Sequence, residues 1–234
     1  MNAIPSPYEH PCLLRLTGPA LRPGGLALTG AALAALHLPP GAALLDVGCG
    51  PGATMALFAR SGFRAYGLDP SSSLVRQAAG HGHILRARGE ALPLASGVMD
   101  AVFCECVLSL TSDPKAALAE MRRVLVPGGY LVLADIHARE DCRKDPSPGL
   151  GPYSCLEGAV SLERMEARLR DCGFALRRRE DHTDALKDLA ARIILAHGSL
   201  EGFRRLLHGP RREGDAPCPP FPRAGYVMFI AEAV

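Results

Sequence analysis

Hydrophobic positions in this chain switch repeatedly between two periods. Short apolar runs at 42–47, 65–69, 83–87, 101–104, 130–136 and 226–231 read as strands, and one more is entered at Phe174. Helical spacing of apolar residues marks 27–38, 53–61, 74–79, 113–125, 162–170, 185–197 and 200–207. Pro39-Pro40 stops the first of these, Ser71–Ser73 can cap the third, and Val126-Pro127-Gly128-Gly129 ends the fourth. Strands alternating with helices predict an α/β fold around a mostly parallel sheet. Residues 1–25 are rich in turn formers and read as an irregular arm. Three regions follow: an N-terminal arm and helix at 1–40, a candidate lid; a core at 41–136; and a C-terminal part of the same domain at 137–234. The last contains two Pro-rich loops, 138–152 and 209–223, as candidate covers.

Composition narrows the function classes. The 234 residues are 48% hydrophobic and 21% charged, enough for one domain with decorations. A net charge of +2 gives no electrostatic case for nucleic acid or a membrane surface. The arginine clusters at 177–179 and 211–212 are interleaved with Glu180, Asp181, Glu213 and Asp215 and read as solvated faces. Aromatics are 5% and Trp is absent, which argues against a base-stacking platform. No secretory segment or bilayer-length apolar span stands out, so a cytoplasmic protein with reduced cysteines is expected. None of the eight cysteines forms a CxxC pair, and no metal site is expected. The oligomeric state is not legible.

The candidate chemistry starts at Leu44-Leu45-Asp46-Val47-Gly48-Cys49-Gly50-Pro51-Gly52-Ala53-Thr54. Strand, glycine loop and helix in succession build a nucleotide-type crevice, where glycine lets a ligand approach the main chain. The loop has no Lys, and Pro51 removes a backbone donor, so it makes a poor phosphate cradle. Asp46 ends one strand and Asp69 the next. Carboxylates around a glycine loop suit hydroxyls and positive charge, which S-adenosyl-L-methionine carries as ribose, ammonium and sulfonium. The loop resembles motif I of the class I S-adenosylmethionine-dependent methyltransferases. Two further stretches extend the likeness: Gly89-Glu90-Ala91-Leu92-Pro93-Leu94, followed by Asp100 at the fourth strand, and Arg122-Arg123-Val124-Leu125-Val126-Pro127-Gly128-Gly129.

This resemblance implies a Rossmann-like, doubly wound sheet of seven mostly parallel strands, with helices on both faces and an antiparallel last strand. It also implies cofactor contacts at Asp46, Gly48, Cys49 and Gly50 in the loop, at Asp69 and Pro70 after the second strand, at Glu90 and Ala91, and at Cys104. Asp69 would take the ribose. Glu90 and the Ala91 backbone would face the adenine amino group. Leu21-Arg22-Pro23-Gly24-Gly25-Leu26-Ala27-Leu28-Thr29 looks like a bacterial subgroup of uncharacterised methyltransferases and implies no substrate.

Methyl transfer from a sulfonium needs alignment and water exclusion more than acid–base chemistry. Glu105 is the carboxylate expected to orient the donor or accept a proton; Tyr153 and His137 flank the first loop. Cys155-Leu156-Glu157-Gly158-Ala159, before a helix ending in Gly173-Phe174, is similar to the metalloid-binding stretch of arsenite methyltransferases, as is Cys106-Val107-Leu108-Ser109-Leu110 to another of their segments. That likeness implies a thiolate role for Cys155 and, more distantly, Cys218. The expected activity is therefore methyl transfer to a small-molecule acceptor. The alternatives are arsenite methylation through Cys155, a non-catalytic S-adenosylmethionine-binding accessory protein, and a dinucleotide oxidoreductase, which Pro51 disfavours.

Overall fold

The apolar run before the glycine loop becomes β1 (Ala43–Val47), buried at every position, as a central parallel strand should be. The computed structural model describes residues 7–138, 154–199, 202 and 224–234. After β1 come α3 (Ala53–Arg60), β2 (Arg64–Asp69), α4 (Ser72–Gln77) and β3 (His83–Arg86). The chain then crosses to β4 (Met99–Glu105), α5 (Pro114–Val124) and β5 (Leu125–Ala138). It closes with α6 (Leu162–Asp171), β6 (Phe174–Asp181), α7 (Thr183–His197) and β7 (Ala224–Ala233). Two helices, α1 (Pro11–Thr17) and α2 (Gly25–Ala35), precede β1.

The sheet order is β3-β2-β1-β4-β5-β7-β6, with β7 antiparallel to both neighbours and the other pairs parallel. This is the expected Rossmann-like, seven-stranded sheet. Strand order reverses between β1 and β4, so a crevice opens at their carboxyl ends.

Period-two alternation divides the core into two layers. Leu45, Val47, Val102, Cys104 and Leu133 face α5 and α6 through Leu118, Met121 and Leu169. Leu44, Phe103 and Val132 face α2 and α3 through Leu28, Ala32, Met55 and Phe58; the Phe58 and Phe103 rings lie 4.8 Å apart. Helix starts follow their caps. Asp113 accepts from the N–H groups of Lys115 and Ala116 ahead of Pro114, Ser71 accepts from Leu74, and Ser161 from Arg164.

Three expectations need correction. The arm is not wholly irregular: a 3₁₀ turn at Pro7–Glu9 leads into α1, where the His10 ring nitrogen accepts from the Cys12 N–H and Pro11 takes the first turn. Leu13 of α1 packs on Leu189 and Ile193 of α7, a contact across some 180 residues that local periodicity does not carry. The Pro-Gly-Gly segment does not precede β5 but bulges within it, because Leu125 pairs with Met99 and Tyr130 with Ala101. β5 also runs past its expected end at 136: His137 sits in it, buried, against Gly225, where a Cβ would overlap its ring. Tyr153, Cys142, Cys218 and most of the two Pro-rich loops fall outside the described residues.

Gly67 of β2 allows α3 to dock closely. A Cβ there would overlap the Met55 sulfur and stand 3.0 Å from the Cys49 Cβ. Gly67→Ala is therefore expected to destabilise the fold by about 1–3 kcal/mol, lowering the thermal midpoint by several degrees. An unchanged midpoint in scanning calorimetry would contradict this packing.

Candidate functional site

The glycine loop lies at the reversal point and is held from three sides. The N–H groups of Gly48 and Cys49 donate to the Leu68 carbonyl at 2.8 and 2.9 Å. The Gly50 N–H donates to Asp69 Oδ2 at 3.1 Å, and Ser71 N–H to Asp69 Oδ1 at 2.8 Å. Gly48 has φ +76° and abuts Val107, whose methyl would overlap any Cβ at that position. The loop backbone can therefore pass where no other residue fits.

A cavity of about 660 Å³ opens over this loop, within the usual range for a small-molecule site. Gly48, Cys49, Gly50, Asp69, Pro70, Glu90 and Glu105 line it. Four carboxylates (Glu9, Asp69, Glu90, Glu105) and two guanidinium groups (Arg22, Arg88) are on the wall, and no lysine is among its described lining. Arg88 is exposed whereas Arg22 is buried.

Other expected contacts lie elsewhere. Asp46 is buried but is not part of the wall; it shares the strand face of Leu44, toward α2 and α3. Cys104 occupies the opposite layer, packed in the α5 side of the core. Ala91 is exposed, its N–H turned onto the Arg88 carbonyl. Cys155 is also off the wall; its N–H donates to the Tyr8 hydroxyl at 3.3 Å, and Tyr8 does line the cavity. Burial pushes the Cys155 thiol up to about 11, so it is protonated at neutral pH.

Glu105 differs most from its expected role. Alternation places it on the α2 face, where Arg22 Nη2 meets Oε2 at 2.8 Å and the Thr29 hydroxyl contacts both oxygens at 3.0 and 3.1 Å. Burial raises its pKa, while Arg22 and Thr29 oppose that rise. Arg22 itself also donates to the Thr29 hydroxyl, to Thr54 Oγ1 at 2.8 Å, and to the Ala20 carbonyl at 3.0 Å. Its Nε is the one buried side-chain nitrogen or oxygen without a hydrogen-bond partner among the described residues. The sequence reading assigned Arg22 no role. The available signal was an arginine set among Gly, Pro and Leu, which has to find a buried anion.

Glu90 accepts from the N–H and hydroxyl of Ser112 at 2.9 and 2.8 Å. Burial would raise it, but these bonds and its own N–H hold it below the usual range. Asp135 fixes the segment after β4 by accepting from Ser109 N and Oγ at 2.8 and 2.7 Å. The arm reaches over the cavity: Glu9 accepts from Ser73 Oγ at 2.9 Å, and Arg192 of α7 holds the Leu16 carbonyl at 3.0 Å. Among the described residues, no group of three metal-capable side chains occurs and no helix is long and apolar enough to cross a membrane.

Comparison with known proteins points to the same region. Residues 45–133 match the family model described as "Methyltransferase domain". Malonyl-[acyl-carrier protein] O-methyltransferase of Serratia marcescens is 36% identical over 102 residues, 42% of this chain and 40% of that protein. The first curated relatives are matched over only about a third to two fifths of their own length, 32%, 40% and 39%. Among solved structures, the [4+2]-cyclase SpnF superposes with a TM-score of 0.66 at 22% identity, covering 98% of this chain and 97% of its own. Phosphoethanolamine N-methyltransferase 2 of Haemonchus contortus, solved with S-adenosyl-L-methionine, gives a TM-score of 0.71 at 18% identity, covering 94% of this chain and 56% of its own. At these identities the structural likeness establishes the fold.

Burial pushes the Asp46 carboxyl up to about 8, against the pull of Arg22 and with added repulsion from Glu105 and Asp69. In the unfolded chain the same group ionises near pH 4 (about 3.9). Between these values the folded state keeps a proton that the unfolded state has released, so this group's contribution to stability falls as pH rises. Asp46→Asn should flatten the decline of unfolding free energy between pH 4 and 8, by up to about 1.4 kcal/mol per pH unit. Asp135, pushed up to about 6, acts equally in both proteins. Identical slopes in denaturant titrations would show that Asp46 is ionised in the fold.

Proposed function

We propose that the protein is an S-adenosylmethionine-dependent methyltransferase acting on a small-molecule acceptor. The observation that carries this reading is the wall of the cavity at the glycine loop, with four carboxylates against one buried and one exposed guanidinium. Such a wall attracts a cationic nucleoside and repels a pyrophosphate. The family match over 45–133 and the named methyltransferase relatives support it.

The residues present fit the cofactor. Gly48 lets the loop backbone pass against Val107 on the cavity wall without a side chain in the way. Asp69 still has acceptor capacity after its two backbone bonds and would take the ribose hydroxyls, while Glu90 borders the adenine end. When bound, the cofactor supplies a methyl group already activated on a sulfonium. The chain's own task is to align donor and acceptor and to exclude water. Tyr8 and Glu9 from the arm, with Leu110 and Val107 after β4, enclose the cavity for that purpose. Glu105 is engaged by Arg22 and Thr29, and Asp135 by Ser109 and the Ile136 N–H. Neither is a free general base, and an acceptor already ionised or polarisable at neutral pH needs none.

A second reading, transfer to a thiol-bound metalloid, draws support from the Cys155 main chain resting on Tyr8 of the wall and from Cys106 lining the cavity. The fold also hosts a named cyclase, so fold alone does not assign the chemistry.

Asp69→Ala should weaken S-adenosylmethionine binding at least about tenfold, the worth of one charge-assisted hydrogen bond, and Asp69→Asn less. Release of S-adenosylhomocysteine is then expected with some member of a panel of thiols, phenolates, carboxylates and arsenite. Unaltered affinity in Asp69→Ala would contradict the assigned ribose contact. Cofactor binding without turnover on the whole panel would instead favour an accessory protein.

A further inference from the structure

The two edges of the sheet differ in what surrounds their arginines. β6 forms one edge. Its exposed Arg177, Arg178 and Arg179 each meet a carboxylate of this chain: Glu232 at 2.8 Å, Glu180, and Glu166 at 2.8 Å. β3 forms the other edge. The stretch from Ala53 to Gly89, which supplies α3, β2, α4 and β3, holds five arginines, two histidines and a single carboxylate, Asp69. Asp69 is buried and accepts from the Gly50 and Ser71 N–H groups. Arg60, Arg64, Arg76, Arg86 and Arg88 are all exposed, and none has an ion-pair partner among the described residues. The near-neutral total of the chain therefore conceals a basic edge.

Local needs do not account for this. A cation in the last turn of a helix suits the helix dipole, which covers Arg60 and Arg76. A charge also guards an open strand edge against pairing. The β6 edge meets that need with arginines balanced by carboxylates, whereas here none is balanced. Arg64 and Arg86 each use Nε internally, on the Gly41 carbonyl at 2.9 Å and the Pro70 carbonyl at 3.0 Å. Their Nη donors are left without a protein acceptor among the described residues. β3 pairs with β2 alone, so its outer row of backbone groups is open. On one face the His83 ring stacks on Tyr66 at 5.0 Å, and Leu85 beyond it is 41% exposed. From the level of Arg64 to Arg88 is about seven residues along the ladder, on the order of 23 Å. Arg88 lines the cavity, so the basic row ends at its mouth.

We propose that the β3 edge docks an acidic, extended segment of another protein, which adds beside β3 and sets its carboxylates against these arginines. Guanidinium donors engage carboxylate oxygens in pairs, and an added strand supplies the N–H and C=O groups that the open edge lacks. A nucleic acid fits less well. Its phosphodiester has no donors for the ladder, and its charge would meet Glu9, Asp69 and Glu90 at the cavity end of the row. The surface is independent of what the cavity binds, although a segment seated along the whole row ends at the cavity mouth.

Fluorescence anisotropy on the full chain at low salt tests this with four labelled probes. They are an alternating Glu/Thr octapeptide, the same peptide N-methylated throughout so that it cannot donate to a ladder, an alternating Lys/Thr octapeptide, and a single-stranded oligothymidylate. The Glu/Thr peptide should bind saturably with a Kd below about 1 mM, at least about tenfold more tightly than the other two peptides, and should weaken at least about tenfold in about 0.5 M salt. The triple variant Arg64→Gln/Arg76→Gln/Arg86→Gln should lose at least about tenfold in affinity, the summed worth of three exposed charge pairs. Arg177→Gln/Arg178→Gln/Arg179→Gln at the other edge should stay within about twofold of wild type. Absence of saturable Glu/Thr binding, affinity that survives the β3 triple variant, or equal binding of the N-methylated peptide would overturn the proposal. So would oligothymidylate binding that exceeds the Glu/Thr affinity and is lost in the β3 triple variant, which would make the edge a nucleic-acid surface. If circular dichroism shows that the triple variant does not fold, Arg76→Gln, which removes no hydrogen bond among the described residues, and the salt series decide. An unchanged affinity in both would then overturn the proposal.

Discussion

The structure turns on a contact that leaves no space for a side chain. Gly48, at φ +76°, passes under Val107 so closely that a Cβ could not be accommodated. The same loop is held by hydrogen bonds to the Leu68 carbonyl and the Asp69 carboxylate. These bonds tie the end of β1 to the end of β2, and the Val107 contact ties it to the segment following β4. The reversal of strand order between β1 and β4 supplies the crevice. The close approach at Gly48 gives that crevice a backbone floor.

Charge buried beneath this floor is the second constraint. Asp46 and Glu105 lie on one face of neighbouring strands, and Arg22 is the cation that acts on both. Removing one partner from such a buried group typically costs about 3–5 kcal/mol. An apolar packing would serve the fold as well, so the intact group adds little net stability. Burial raises both carboxyls, and Arg22 opposes the rise in each.

The order of elements was legible because β1, β4 and β7 are apolar runs and α5 and α6 carry strong helical spacing with Asp113 and Ser161 as caps. The place of Asp69 followed from its position at the end of β2. What stayed hidden depends on which face of the sheet a residue takes and on contacts between distant parts of the chain. Cys104 and Glu105 are adjacent, yet alternation sends one into the α5 layer and the other to Arg22. Asp46 shares the face of Glu105 but lies deeper in the sheet, opposite Phe103, and misses the wall. The Arg22–Glu105 pair spans 83 positions, and α1 owes its packing to α7; no local pattern reports either. The Pro-Gly-Gly run reads as a turn on its own, whereas pairing with Met99 and Ala101 makes it a bulge in one long strand.

On the proposed reading, an acid-walled glycine loop selects a cationic nucleoside over an anionic dinucleotide. Parallel calorimetric titrations of the wild-type protein with S-adenosylmethionine and with NADH test it most directly. S-adenosylmethionine should bind with a Kd between about 1 μM and 1 mM, the range in which enzymes commonly hold their substrates, and NADH should give no saturable heat. Saturable NADH binding with no response to S-adenosylmethionine at the top of that range would contradict it.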